Sequence, residues 1–471
     1  MISAAYPRDV LNLERSIVKQ PNNIILIVVD SLRYDSTFQD GHSGLNYAEK
    51  NAISFTQARS SGCWTLPSTA SVFTGLMPHQ HQTTSQTRCL PKQLPTLAEK
   101  LKAVGYQPIQ ITGNMVTTDL FGLDRGFDAT FKIWNHVQPR LNKLTRFIML
   151  LSRPRVRKEV LDGGFFNAKK ASQYLNAGNV WAQCTYHDLF AKAREILAEN
   201  EKRAQKNFLF LNVMETHFPY HVDRTFRLST NSLPNMVQET TGLYHTVNQS
   251  FLKGDHNYIK PRAQRILKNR QRKSWRLIRK DLDEFIRELH EDKNNLVILC
   301  ADHGDNFGDQ GWFYHFANVT DGGNRVPLFW LGHDHPGAKV IDRPVSLTLL
   351  FNSILKACNV NIGESSLFED NPDTTSIMQS YWYDNHGKTL AKYKFNQFCF
   401  IDNNTRYLLK KNRWYRSPIT QNYPEEGFSS LPHDVNPVEE CISDADKSAF
   451  LKRQVADFEK FSAQLLPARN K

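Results

Sequence analysis

The chain has no C-x-x-C pair: its seven cysteines, Cys63, Cys89, Cys184, Cys300, Cys358, Cys399 and Cys441, lie far apart. Their odd number and spacing argue against a disulfide scaffold and for reduced thiols, with Cys300 and Cys358 at core positions. No apolar run approaches bilayer length, and the opening stretch MISAAYPRDVLNLERS has no apolar core of the signal-peptide kind. The expectation is therefore a soluble, cytoplasmic protein. Low-complexity tracts and internal repeats are missing too, which excludes solenoids and disordered tails as the main architecture. Excess negative charge is absent: 59 Lys+Arg against 47 Asp+Glu leave a net charge of +12, which favours anionic partners such as phosphate esters, sulfate esters or a membrane surface. Nucleic acid is not expected, because the aromatic residues do not interleave with the basic ones as a stacking platform requires.

What is present suits a folded α/β chain. Over 471 residues, 40% are hydrophobic and 11% aromatic, enough for a large unit and a smaller partner. Ile24–Val29 is an unbroken apolar run ending in Asp30, as in a parallel strand buried on both faces. Gln107–Thr112, Phe208–Val213 and Leu296–Cys300 read as further strands. Between them lie helical stretches: one opening at Thr65 and stopped by Gly75, one after the capping box Thr96–Glu99, one over Tyr186–Gln205, one closing at Phe285–Glu291 and one over Leu347–Ala357. This alternation predicts a doubly wound, mostly parallel α/β sheet over residues 1–375. From 376 to 471 the short strands Tyr393–Ile401, Thr405–Lys410 and Arg413–Tyr415, then a charged helix over Asp444–Leu465, predict a small antiparallel α+β subdomain. Two basic segments break the pattern and read as helical insertions, about 139–160 and 251–282. Lys253–Lys280 alone carries eleven Lys/Arg with Trp275 among them. They read either as solvated helices or as a rim that gathers an anionic substrate, a polyanion or a membrane face.

Chemistry-bearing residues follow three of the predicted strands: Asp30, His217 in Met214-Glu215-Thr216-His217-Phe218-Pro219-Tyr220, and Asp302-His303-Gly304-Asp305. Ligands of open α/β sheets bind beyond the carboxyl ends of the strands, so these groups converge. The stretch Ser60–Pro78, SSGCWTLPSTASVFTGLMP, sets the Thr65 hydroxyl at a helix mouth, where free backbone N–H groups favour anions. Asp30, Thr65, Asp302 and His303 make an oxygen-rich set with one imidazole, which suits one divalent ion, Mn²⁺, Zn²⁺, Ca²⁺ or Mg²⁺. Each residue singly has a plain structural explanation as a cap, a turn or a packed histidine, and it is their joint placement that points to catalysis.

In order along the chain, Asn23–Arg33, Thr65-Leu66-Pro67-Ser68 through Gly75, Gly122–Asp128, His217–Tyr220, Ala301–Asp305 and Arg325-Val326-Pro327-Leu328 resemble the motifs of the sulfatase branch of the alkaline-phosphatase superfamily. The resemblance covers roughly residues 20 to 420. It implies an α/β ester hydrolase with one divalent ion on Asp30, Thr65, Asp302 and His303, and with His217 and His315 beside the substrate. Arg33, Asn114 and Arg59 are further candidates for substrate binding. The departures are specific. Thr65 stands where sulfatases carry the Cys or Ser that matures to formylglycine, and Thr69 replaces the arginine of that maturation motif. Ser31 stands in place of a second Asp, Gly113-Asn114-Met115-Val116 lacks the family's Lys and His, and His303 replaces a frequent Asn. These features resemble the relatives that act on phosphorus: phosphonate monoester hydrolases, phosphodiesterases and phosphoethanolamine or phosphoglycerol transferases. The expected function is hydrolysis or transfer of a phosphate mono- or diester or phosphonate ester through a covalent phospho-Thr65. The alternatives are a sulfuric ester hydrolase on the same fold and a catalytically silent polyanion-binding scaffold.

Overall fold

A computed structural model of the chain describes residues 20–136, 185–218, 220, 261–309, 312–315, 318–332, 337–360, 365–369, 376–381, 395–419, 429–431 and 435–465. The basic segment expected at 139–160 lies outside them, as do residues 251–260 of the second.

The main sheet has eight strands: β1 (Asn23–Val29), β2 (Ile53–Phe55), β3 (Tyr106–Thr112), β4 (Ala129–Lys132), β5 (Lys206–Val213), β6 (Leu296–Cys300), β7 (Leu328–Leu331) and β8 (Lys339–Ile341). Their spatial order is β8-β2-β7-β6-β1-β5-β3-β4. All pairings are parallel except those of β7, which runs against both β6 and β2. The central strands are buried on both faces, with Ile24, Ile25, Leu26, Ile27 and Val29 at 0% exposure, which explains why the apolar run of β1 does not alternate. Register sets the four central strand ends level. Val29 pairs with Val213, Val28 with Cys300 and Thr112 with Asn212, so the residues that follow each strand emerge on one edge.

The helices flank this sheet: α1 (Thr65–Thr74), α2 (Leu97–Ala103), α3 (Tyr186–Glu201), α4 (Pro261–Leu289) and α5 (Leu349–Ala357). Gly75 ends α1 in the left-handed conformation at φ 71°, which glycine adopts at little cost. The capping box of α2 forms as expected, with Thr96 Oγ1 accepting from Glu99 N–H and Glu99 accepting from Thr96 N–H. Helix α4 runs unbroken for 29 residues, and its inner face (Trp275, Ile278, Leu282, Phe285, Ile286) is part of the main core. The basic residues expected here as an insertion thus occupy the outer face of a helix that covers the sheet, and Trp275 is fully buried.

Beyond residue 375 a five-stranded antiparallel sheet takes over: β9 (Ile377–Ser380), β10 (Gln397–Asp402), β11 (Thr405–Lys410), β12 (Arg413–Pro418) and β13 (Ser429–Ser430), in sequence order. Helix α6 (Ala445–Leu465) packs Leu451, Val455, Phe458 and Phe461 against Phe398 and Phe400. Gln379 N–H donates to Ser61 O at 2.8 Å, and Arg406 of β11 pairs with Asp321, so polar bonds tie this sheet to the main one.

Candidate active site

The level strand ends deliver Asp30 from β1, Asn114 just past β3, His217 past β5 and Asp302-His303 past β6. Helix α1 adds Thr65 as its first residue. Asp30, Thr65, Asp302 and His303 are all buried, and their atoms converge on His303 Nε2. That nitrogen stands 3.3 Å from Thr65 Oγ1, 3.5 Å from Asp302 Oδ2 and 3.8 Å from Asp30 Oδ1. His303 Nδ1 lies 2.9 Å from Gly304 O, a pure acceptor, so Nδ1 carries the hydrogen and leaves Nε2 to face the carboxylates.

The electrostatics of the set call for a cation. Burial and the neighbouring Asp30 charge push the Asp302 carboxyl up to about 6. Burial also works against an ionised Asp30, but His217, His303 and the Asn114 and Asn212 amides hold it below its ordinary value. Burial disfavours a charged His303, yet Asp302, Asp30 and Asp305 together raise its proton affinity. Asp302 Oδ2 is buried without a hydrogen-bond partner, a costly state for a carboxylate oxygen that a bound cation relieves. Asp30, Asp302 and His303 offer ligand atoms within 4.8 Å of one another, so the residues present fit a divalent ion.

Asn114 belongs to this cluster. Its Nδ2 donates to Asp30 Oδ2 at 2.7 Å and stands 3.3 Å from Thr65 Oγ1, so it braces the hydroxyl against the carboxylate. His217 and His315 lie alongside, with ring centroids 5.3 Å apart, and His315 is 4.6 Å from the His303 ring. His217 is half-buried and donates Nδ1–H to Phe218 O at 2.7 Å.

Arg33 and Arg59, named in sequence as candidates for substrate binding, have their guanidinium groups bound into the framework. Arg33 is fully buried and bonds Asp35, Asp309 and the Asp305 carbonyl, pinning the turn that follows His303. Arg59 is equally buried and bonds Asp321 and the Gln57 carbonyl. Both sit inside the framework because a carboxylate remote in sequence comes to each, Asp309 to Arg33 beside the local Asp35, and Asp321 to Arg59.

Sequence reasoning assigned no role to Asp305, Tyr220 or Asn212. Asp305 accepts from His315 Nδ1 at 2.5 Å and from Tyr220 Oη at 2.9 Å, which aims the His315 Nε2 edge away from Asp305. His303, Asp305 and His315 also lie close enough to hold an ion, but the short Asp305–His315 hydrogen bond already fills that space. Asn212 donates to Asp30 Oδ2 at 3.3 Å. The signal for Asp305 was its place in Asp302-His303-Gly304-Asp305. Tyr220 and Asn212 carry none, since their roles depend on the fold alone.

The backbone around the site is held in sparsely populated conformations. Ser31 (φ 60°), Tyr220 (φ 60°) and Tyr314 (φ 67°) are left-handed non-glycine residues beside Asp30, His217 and His315. Each such residue costs about 1–3 kcal/mol, which the surroundings must offset. Gln271 of α4 helps, donating to Ser31 O at 2.7 Å. At Gly304 a methyl group would stand 2.2 Å from Gly322 O, so the close approach of that loop to His303 requires glycine.

A hydroxyl, two carboxylates and an imidazole thus stand together at the carboxyl edge of a mostly parallel sheet, where ligands of such sheets bind, and the set fits a divalent ion. The chain belongs to the sulfatase family, a family of sulfuric and phosphoric ester hydrolases, whose profile matches residues 22–360. A curated relative, the sulfatase of Formosa agariphila, is 32% identical over 116 residues, which span 22% of this chain and 22% of that protein. The phosphonate monoester hydrolase SpPMH of Silicibacter pomeroyi is similar in structure at a TM-score of 0.59 and 16% identity, covering 93% of this chain and 95% of that one. The phosphonate monoester hydrolase of Agrobacterium radiobacter reaches 0.58 at 14% identity, covering 95% and 96%. The 2-O GAG sulfatase BT1596 reaches 0.56 at 14% identity, covering 95% and 92%. At these identities the neighbours show the fold alone: a mixed α/β sheet with a small antiparallel sheet at its end.

Proposed function

We propose that this protein hydrolyses or transfers a phosphate mono- or diester or a phosphonate ester, with Thr65 as nucleophile and a covalent phospho-Thr65 intermediate. The carrying observation is the Thr65 hydroxyl, first residue of α1, 3.3 Å from His303 Nε2 between two carboxylates. When held by Asp30, Thr65, Asp302 and His303, a divalent ion (Mn²⁺, Zn²⁺, Ca²⁺ or Mg²⁺) supplies positive charge that lowers the proton affinity of the Thr65 hydroxyl and polarises the ester.

The chain's own groups do the rest. Asn114 fixes the Thr65 oxygen, and the free N–H groups of the first turn of α1 face an anion placed there. Thr65 Oγ, its proton released to solvent, attacks phosphorus in line, forming one P–O bond as the ester P–O bond breaks. Burial and the nearby His303 and His217 push His315 down to about 4 despite Asp305, so its imidazole is neutral before substrate binds. An anionic substrate beside it draws a proton onto Nε2, which then passes to the leaving oxygen. Water or an acceptor hydroxyl cleaves phospho-Thr65, and His217 steadies the equatorial oxygens. An unmodified threonine supports phosphorus over sulfur, because Thr65 and Thr69 depart from the formylglycine maturation pattern.

The family assignment favours one second reading, a sulfate ester on the same site. Aryl phosphodiesters, phosphonates and aryl sulfates assayed side by side with added Mn²⁺ or Zn²⁺ separate the two. The proposal expects phosphoester turnover that Thr65→Ala abolishes, and a strong sulfatase rate surviving Thr65→Ala overturns it. We also assign the protein to a reducing, cytoplasmic setting, which the buried thiols of Cys300, Cys358 and Cys399, outside any disulfide, support. Among the described residues no helix is long and apolar enough to cross a membrane.

A further inference from the structure

Helix α4 carries its charge in an order that its own stability does not explain. From Pro261 to Lys280 the sequence holds nine lysines and arginines and not one Asp or Glu, whereas the remaining turns carry Asp281, Asp283, Glu284 and Glu288. The helix dipole favours the reverse. Core packing does not demand the order either, since Leu267, Trp275, Ile278 and Leu282 line the buried face. Outward stand Arg265, Ile266, Asn269, Lys273, Arg276 and Lys280, all exposed. At 3.6 residues per turn and 1.5 Å per residue, they share one sector of about 100° and form a straight band of about 22 Å. Arg272 and Arg279 flank it, half-buried.

Two features set this band apart from an ordinary solvated face. First, nearby acids are engaged with other groups. Asp35 pairs with Arg33 and Lys268, and Glu284 with Arg287. Asp281 accepts from the Tyr186 hydroxyl, and Asp283 from the Tyr47 and Ala48 N–H groups. Second, an apolar side chain stands out among the cations. Ile266, at 37% exposure, is one of two exposed large hydrophobic residues among those described, the other being Val340 on strand β8.

We propose that this band docks the protein on an anionic lipid bilayer. A planar array of negative headgroups engages the full width of the band, and its attraction for clustered Lys and Arg is cumulative. The charge complementarity alone would suit a hydrated polyanion too, but such a partner gives an exposed isoleucine nothing to bury against, whereas the acyl boundary of a bilayer does. A single-stranded nucleic acid also lacks its stacking platform, because Trp275 is 0% exposed and donates its Nε1–H to Ser43 O. With that ring inside, docking is driven by charge and is reversible. Docking also places the active site. Leu267, next to Ile266 but on the inner face, packs with Phe218, Tyr220, Phe307 and Phe313, on the segments that carry His217 and His315. One turn on, Gln271 Nε2 donates to Ser31 O at 2.7 Å. A docked helix thus holds the catalytic loops one helix diameter, about 10 Å, from the bilayer. The inference does not rest on the reaction at Thr65.

Co-sedimentation of the full chain with vesicles of phosphatidylcholine and phosphatidylserine, at physiological ionic strength, tests this. The wild type is expected to bind these vesicles and not vesicles of phosphatidylcholine alone. An R265Q/K273Q/R276Q/K280Q variant should bind at least about thirtyfold more weakly, with small-ester turnover and circular dichroism unchanged. A control of equal charge change on other exposed surfaces, K100Q/K202Q/R203Q/K339Q, should stay within about threefold of wild type. Insertion is read separately: Ile266→Trp should add fluorescence that brominated lipid quenches, and Val340→Trp should add fluorescence that it does not. Equal weakening in the band and control variants, no binding by wild type, or equal binding to neutral vesicles overturns the proposal. So does quenching at both tryptophans or at neither. Binding of a heparin oligosaccharide or a single-stranded oligonucleotide through the band, with no binding to vesicles, would assign the band to that partner instead.

Discussion

Two neutral-looking side chains, Tyr220 and His315, are joined through the buried carboxylate of Asp305, and that link sets what His315 can do. With Nδ1–H committed to Asp305, only Nε2 is available to a leaving oxygen. His315→Ala should therefore lower kcat on alkyl phosphoesters by about 10²–10⁴-fold, the usual worth of a positioned proton donor. Nitrophenyl esters, whose leaving group needs no proton, should lose far less, and paired steady-state assays check the contrast. Arg33 carries the opposite expectation. Arg33→Ala takes the cation from Asp309 and leaves Asp35 to Lys268 alone, and loss of one partner of a buried pair costs about 3–5 kcal/mol, visible in a urea melt. A rise in KM with unchanged stability would instead return Arg33 to the substrate pocket. These residues also mark where sequence reading stops. Asp30, Thr65, Asp302 and His303 are legible because each stands beside a strand end or helix start. Arg33 and Arg59 invite a substrate role because Asp309 and Asp321 lie more than 250 positions away in sequence, and Asp35, two residues from Arg33, does not by itself announce that the guanidinium is buried.

At the scale of elements, the four central strands β1, β3, β5 and β6 are legible from apolar runs and the α2 cap from its Thr–Glu spacing, while the short outer strands and the sheet order are not. The β8-β2-β7-β6-β1-β5-β3-β4 order depends on long-range pairing, and it is this order that sets Asn212 beside Asp30. Helix α4 shows a different gap: its charge is conspicuous in sequence, but the Trp275, Ile278 and Leu282 face that roots it in the core is masked by that charge. The segment after α1 carries a pH-sensitive group. Burial and neighbouring His79 push His81 down to about 3, where it accepts from Thr83 N–H and bonds Ser71 Oγ. Between about 3 and its ordinary 6.5 the unfolded chain binds the extra proton, so stability rises with pH across that window. The expected slope is up to about 1.4 kcal/mol per pH unit from this group, and in urea melts from pH 7 to pH 4 a His81→Asn variant should show a shallower fall. In the C-terminal sheet, Phe458→Ala should cost about 3–5 kcal/mol, because Phe458 stacks among Phe398 and Tyr381 with 3% exposure.

For the whole molecule, the proposed ion site would make folding and ion binding one equilibrium. Asp30 and Asp302 follow strands β1 and β6, paired across the sheet, and a cation held between them would relieve their repulsion in the folded chain alone. Chelation should lower the melting temperature, and re-addition of Mn²⁺ or Zn²⁺ at a hundredfold excess over Kd should restore about 2.7 kcal/mol. Elemental analysis should find one divalent ion per chain and a loss of it in Asp302→Asn. An Asp302→Asn protein with undiminished metal content would remove the ion from this site.

The central claim is that the reacting group passes through the oxygen of Thr65. Mass spectrometry of the Thr65 peptide, after brief reaction with a phosphodiester and acid quench, tests it most directly. The account predicts one phosphoryl group on Thr65, formed at the rate of alcohol release and absent in Thr65→Ala. Full turnover with Thr65 unmodified, or the phosphoryl group on another residue, would contradict it.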